Sequence, residues 1–146
     1  MTTPNLHRQV EASLSEVGVR FTSARRNVVN ALVDASGPRS ATELHDDLGA
    51  TVPLSTLYRT LSVLEDVGVA VPHFAGKNLA RYELAEWLTG HHHHLVCIEC
   101  GQVEDVAVPQ EYESQVDSVV SAVASTVSFL PTNHALEIEG RCARCA

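Results

Sequence analysis

The four cysteines of this 146-residue chain stand in two Cys-x-x-Cys pairs, Cys97 with Cys100 and Cys142 with Cys145. No thiol is left over. A Cys-x-x-Cys turn aims two thiolates at one soft cation, so two such turns predict a closed tetrahedral zinc site. Disulfides are the competing reading, and a reducing compartment opposes it. Directly before the first pair runs His91, His92, His93 and His94. Strand side chains alternate faces, so His91 and His93 would point one way and His92 and His94 the other. One run could then feed two metal sites; a solvated histidine tract is the plainer alternative.

The elements that must carry these residues divide near residue 85. Before it the pattern is mainly helical. Leu6, Val10, Leu14 and Val17 recur at helical spacing up to Gly18. Thr22 is placed to cap a helix through about Ala35, with Val28, Val29, Leu32 and Val33 as its apolar face. Ser36, Gly37 and Pro38 break it, and Ser40 caps a short helix to about Leu48. Pro53 or Ser55 opens the next, which carries Leu57, Leu61 and Leu64 and stops at Gly68. Val69–His73 and Leu79–Leu84 read as strands joined by a turn over Ala75–Asn78. Helices followed by such a hairpin predict a winged helix-turn-helix, a DNA-reading module. In the second half, His91–Ile98 and Gln102–Val106 read as a hairpin. Pro109 opens an amphipathic helix to about Val127 with Val116, Val119, Val120 and Val123 inward, and His134–Gly140 is a third strand delivering Cys142 and Cys145. The predicted class is α+β: a winged helix-turn-helix domain over 1–84, a hinge over 85–90, and a small metal-closed α/β domain over 91–146.

Composition agrees. The net charge is −8, yet residues 1–84 carry eight Lys/Arg against nine Asp/Glu, while 85–146 carry two against nine. The near-neutral half can hold a local basic face; the acidic, histidine-rich half suits cations. Met1–Gln9 lacks the apolar stretch of a secretory signal, and no run is apolar enough to span a membrane, so the expected location is the cytoplasm.

Together these features resemble the ferric uptake regulator (Fur) family of bacterial metal-sensing repressors. The resemblance covers almost the whole chain and rests on Thr22 with Arg25 and Arg26, Ser40 to Leu44, Ser55 to Leu61, Arg81 to Leu84, the segment His91 to Gly101, and the ending Gly140 to Cys145. It implies a homodimer that binds palindromic double-stranded DNA operators when a sensory metal is present, with no membrane or small organic substrate as partner. Cys97, Cys100, Cys142 and Cys145 would hold structural Zn2+. Glu83, His92, His94 and Asp105 match the regulatory site between the domains. His91, His93, Glu113 and His134 match a further site, with Asp117 as the alternative to Glu113.

One departure bears on the sensor. Many members place a histidine just before the Ser-Ala of the third helix; here that position is Pro38. Zinc-sensing members lack it too but carry a cysteine near Ala85, which this chain does not. His73 on the wing is a candidate substitute, and an exposed wing histidine is its bland alternative. The donor set admits Zn2+ or Fe2+ first, with Mn2+ or Ni2+ also compatible. Peroxide sensing by histidine oxidation is disfavoured without the Pro38-position imidazole.

For DNA, Tyr58 and Arg59 lie on the expected recognition helix, suited to thymine methyls, guanine edges or phosphate. Ser55 and Thr56 sit at its N-terminus, suited to phosphate. Arg20, Arg25 and Arg26 form a basic patch and Lys77 sits at the wing tip. A zinc-dependent hydrolase or deaminase lacks its motifs here, since neither His-Glu-x-x-His nor His-x-Glu with Pro-Cys-x-x-Cys occurs. A metal-storage module would leave the winged helix unexplained.

Overall fold

The computed structural model describes residues 3–74 and 79–146. The wing turn Ala75–Asn78 and the candidate contact Lys77 lie outside the described residues. The order of elements is α1 (Thr3–Glu16), α2 (Ser23–Asp34), β1 (Arg39–Ser40), α3 (Ala41–Asp47), α4 (Leu54–Asp66), β2 (Ala70–His73), β3 (Arg81–Leu84), α5 (Glu86–Thr89), β4 (His93–Cys97), β5 (Val103–Val106), α6 (Gln110–Ser125) and β6 (Glu137–Gly140).

The first half forms where its caps predict. Thr22 accepts the Arg25 amide at the start of α2. Ser40 and Glu43 make a reciprocal capping box on α3. Pro53 is the N-cap of α4, which leaves Ser55 and Thr56 in its first turn. Leu6, Val10, Leu14, Val28, Val29, Leu44, Leu57, Leu61 and Leu64 share one core. Val17 does not join it; it lies past the end of α1 and is exposed. A short strand that the sequence did not announce, β1, pairs with β3, giving the antiparallel order β1-β3-β2.

A part-buried ion pair fastens this wing sheet to α3. Arg81, buried on β3, donates Nη1 to both oxygens of Glu43 at 2.9 and 2.7 Å. Burial alone would raise the Glu43 pKa, but the Ser40 amide and Arg81 outweigh it and hold the carboxyl below its ordinary value. The capping carboxylate therefore does double duty, at a helix start and against a buried guanidinium.

The expected hinge is ordered into α5. Leu88 inserts into the first core, and Trp87 Nε1 donates to the Gly68 carbonyl at 2.8 Å. Beyond it, β4 is central in a second sheet of order β5-β4-β6, antiparallel to β5 and parallel to β6. Its strands are shorter than predicted: β4 begins at His93 rather than His91, and β6 at Glu137 rather than His134. Among the described residues the clustered buried apolar core here is Val96 with Val103. Val119 and Val123, expected inward, are exposed, as are Tyr112, Val127, Phe129 and Leu130. Amphipathic spacing correctly marks one apolar face on α6, but this chain alone offers too little sheet to cover it.

Candidate metal centres

The cysteine pairs meet at the end of the second sheet. β4 delivers Cys97, its following turn Cys100, and β6 runs parallel into Cys142 and Cys145. All four thiols are free, with their sulfurs within 4.8 Å of one another. Cys100 Sγ and Cys142 Sγ are 3.8 Å apart, the edge of a tetrahedron with arms of about 2.3 Å, which is the zinc–thiolate length. The site therefore fits zinc in both donor type and size. Cys97 is prepared for it: the backbone amides of Cys100 and Cys142 pull its pKa down to about 6. Cys145 is pushed up to about 12, chiefly by sharing a proton with Cys142, a penalty that a cation among the sulfurs would remove.

A second group spans the two halves. Glu83 comes from β3 of the wing sheet, His92 from the approach to β4, His94 from β4 and Asp105 from β5, opposite His94 in register. Glu83 Oε2 lies 2.9 Å from His92 Nε2 and 3.0 Å from His94 Nε2; Asp105 Oδ1 is 3.6 and 3.5 Å from the same nitrogens. All four donor atoms lie within 4.8 Å of one another. His92 Nδ1 donates to the Gly90 carbonyl at 3.0 Å, which leaves Nε2 as the inward lone pair when the ring is neutral. Burial would raise the Glu83 pKa, but hydrogen bonds from His94 and His92 bring it below the ordinary value. Burial raises that of Asp105. Burial opposes the charged form of His92, yet the Gly90 carbonyl and Glu83 raise its pKa overall. Two imidazoles and two carboxylates around one point suit a divalent cation of borderline softness, which would displace the protons these groups share.

The third group centres on Glu113 of α6. Its Oε1 lies 2.7 Å from His134 Nε2 and 3.1 Å from His91 Nε2, and its Oε2 is 3.0 Å from His93 Nε2. His93 is fully buried and also accepts the Leu136 amide at Nδ1. Asp117 lies instead on the outer side of His134, 3.3 Å from Nδ1, and Glu86 of α5 stands 3.2 Å from His91 Nδ1. The carboxylate at which the three imidazoles converge is thus Glu113 and not Asp117. The expected division of the histidine run holds geometrically, with His92 and His94 in one group and His91 and His93 in the other.

The halves also touch without any side-chain donor. Asp105 N–H donates to the Ser36 carbonyl at 2.8 Å. Gly37 lies so close to β5 that an added Cβ would stand 2.8 Å from Glu104 Cα, and nearer still to the Val103 carbonyl oxygen. Pro38 is fully buried beside it. His73, on β2, reaches the second half: its Nε2 is 3.2 Å from Glu137 Oε2 on β6, and its ring lies 4.5 Å from that of His94. It is largely buried, unlike the exposed wing histidine of the bland reading.

On α4, Ser55, Tyr58 and Arg59 are exposed and Thr56 half-buried. Among the described residues Arg59 and Arg20 have no ion-pair partner. Arg26 is engaged by its own chain at the surface, stacked 4.3 Å above the Phe21 ring and 3.6 Å from Glu11, and Arg25 donates to the Arg20 carbonyl. The patch is therefore less uniform than its sequence suggests. Glu86, Glu137, Ser36 and the Arg81–Glu43 pair carry no local sequence signal of these roles, except that the Ser-x-x-Glu spacing of Ser40 and Glu43 could have announced the capping box.

A winged helix joined to a cysteine-closed sheet by histidine–carboxylate groups defines a metal-binding regulator in outline, and comparison identifies its kind. The model of the ferric uptake regulator family matches residues 16–139, and the chain belongs to that family. A peroxide-responsive repressor, PerR, of Staphylococcus epidermidis is 29% identical over 137 residues, spanning 92% of this chain and 86% of that protein. The crystal structure of the Vibrio cholerae ferric uptake regulator is similar with a TM-score of 0.71 at 28% identity, covering 90% of this chain and 98% of that one. The Helicobacter pylori regulator Fur, described as having three functional metal-binding sites, shares the fold at a TM-score of 0.76 and 24% identity, covering 99% and 94%.

Proposed function

We infer that this protein is a metal-responsive transcriptional repressor that binds palindromic operators as a homodimer in the cytoplasm. Residues 1–84 read DNA, 85–90 connect, and 91–146 dimerise and hold metal. Zn2+ at Cys97, Cys100, Cys142 and Cys145 closes the second half, whose own apolar core is too small to fold it unaided. The exposed apolar face of α6 supports pairing with a second copy. Exposed Tyr58 and Arg59, with Ser55 and Thr56 at the start of α4, meet the major groove, and Arg20, Arg25 and Lys77 add phosphate contacts.

One observation carries the regulatory part. Glu83 belongs to the wing sheet, whereas His92, His94 and Asp105 belong to the other half. A cation there, Zn2+ or Fe2+ in the first instance, supplies charge that holds the four side chains together. It binds the docked arrangement of the halves better than any separated one and shifts the population toward it. His91, His93, Glu113 and His134 form an additional centre that anchors α6. Pro38 offers no donor and nothing to oxidise at its position, which argues against peroxide sensing there.

Fluorescence anisotropy of a labelled palindromic operator tests this reading, with the cysteine zinc retained and zinc, iron(II), manganese(II) and nickel(II) titrated separately. One metal is expected to switch binding on. Equal operator affinity with and without every metal would refute the regulatory reading.

A further inference from the structure

His73 belongs to the wing strand β2, but both of its side-chain neighbours named above, Glu137 and His94, lie in the second half. A neutral imidazole carries one N–H and one lone pair. The Glu137 carboxylate, 3.2 Å from Nε2, favours a proton on that nitrogen by its charge, and the tautomer protonated there leaves the lone pair on Nδ1. That Nδ1 is buried and, among the described residues, has no hydrogen-bond partner. A buried acceptor facing no donor is rare in folded proteins, and here it is a bare imidazole nitrogen beside a group of metal-ligating residue types. A carboxylate beside one ring nitrogen and a free lone pair on the other are the arrangement by which proteins orient a metal-bound histidine.

We propose that His73 is a further ligand of the interdomain centre, through Nδ1, with Glu137 as the outer carboxylate that orients it. The inference rests on the reading of Glu83, His92, His94 and Asp105 as that centre. His73 is not within the tight group of four, so ligation draws β2 toward β4 and makes the position of the wing depend on the metal. It also raises the donor set to three imidazoles and two carboxylates. Five donors suit iron(II), manganese(II) or nickel(II) better than zinc, which prefers four.

Cobalt(II) reports the difference. The protein is prepared with its cysteine zinc in place and with Glu113→Ala and His91→Ala to disable the third group, then loaded with one equivalent of cobalt. X-ray absorption should count three imidazoles around the cobalt, and two would overturn the proposal without requiring any change at His73. His73→Ala should raise the visible absorption, as five-coordinate cobalt becomes four-coordinate, and weaken cobalt binding by more than about tenfold. Glu137→Gln should weaken binding by less and keep the five-coordinate spectrum. A His73→Ala protein that matches its parent in spectrum and affinity, while His92→Ala loses both, would overturn the role of His73 and leave the centre standing. If His92→Ala also changes nothing, the interdomain centre itself fails.

Discussion

Gly37→Ala tests whether the two halves dock as the geometry requires. The new Cβ would stand 2.8 Å from Glu104 Cα and 3.0 Å from the Val103 carbonyl carbon. These are backbone atoms in a paired strand and cannot swing aside. Ordinary carbon–carbon contact begins near 3.5 Å, so the loop must retreat by more than about 0.5 Å. That retreat breaks or strains the hydrogen bond from Asp105 N–H to the Ser36 carbonyl, 2.8 Å long, worth about 1 kcal/mol, and loosens the packing around buried Pro38. The metal-free protein relieves the clash by letting the halves part; the metal-bound protein has to bear it. A cost of about 1–2 kcal/mol is a 5–30-fold loss of affinity. The assay is competition for metal against a fluorescent chelator, with the cysteine zinc retained and a Glu113→Ala background isolating the interdomain group. Gly37→Ala should weaken metal binding in that range while leaving the thermal unfolding of the first half unchanged. A metal affinity indistinguishable from the parent would refute the reasoning, because it would mean that β5 and the Ser36–Gly37 loop are not pressed together when metal binds.

Four further substitutions probe the zinc site, the wing-sheet ion pair and the DNA face separately. Cys97→Ser should remove one equivalent of zinc by elemental analysis and convert dimer to monomer by light scattering; in the unsubstituted protein, chelator competition should show zinc affinity falling as pH is lowered, because protons compete with the cation for the four thiolates. Glu43→Gln should destabilise the first half by about 2–4 kcal/mol in urea unfolding, since it leaves Arg81 buried without its charge partner. Because the Glu43 carboxyl titrates below its ordinary value near 4.5, its stabilising contribution is complete above that pH and is lost as pH falls through the lower folded value; the variant should lack this part of the acid limb. Arg59→Ala should weaken operator binding by about 1–3 kcal/mol, whereas Arg26→Ala, whose guanidinium is occupied by Phe21 and Glu11, should change it by less than about 0.5 kcal/mol.

What the sequence revealed and what it hid divide along physical lines. Caps, stops and helical periodicity are local, so Thr22, Ser40, Pro53 and the leucines of α4 were legible. The cysteine spacing and the alternation of the histidine run were legible for the same reason, as period-two geometry sorts side chains before any tertiary contact forms. The partner at each site was not. Glu113 and Asp117 are one helical turn apart and chemically alike, and only the placement of α6 selects between them. Glu137 acquires its role because β6 lies parallel beside β4, a pairing of residues far apart in sequence. Gly37 looks like a helix breaker and is in addition the close-approach point between the halves. The valines of α6 mislead because amphipathicity reports that a face will be covered, not by which chain.

On this reading, metal and operator binding are linked through the group formed by Glu83, His92, His94 and Asp105. The most direct test is to measure metal affinity twice, on the free protein and on the protein saturated with operator. Linkage requires metal to bind more tightly on DNA, by the same factor by which metal tightens DNA binding, and requires that factor to collapse in His92→Ala. Equal metal affinity on and off the operator would contradict the account.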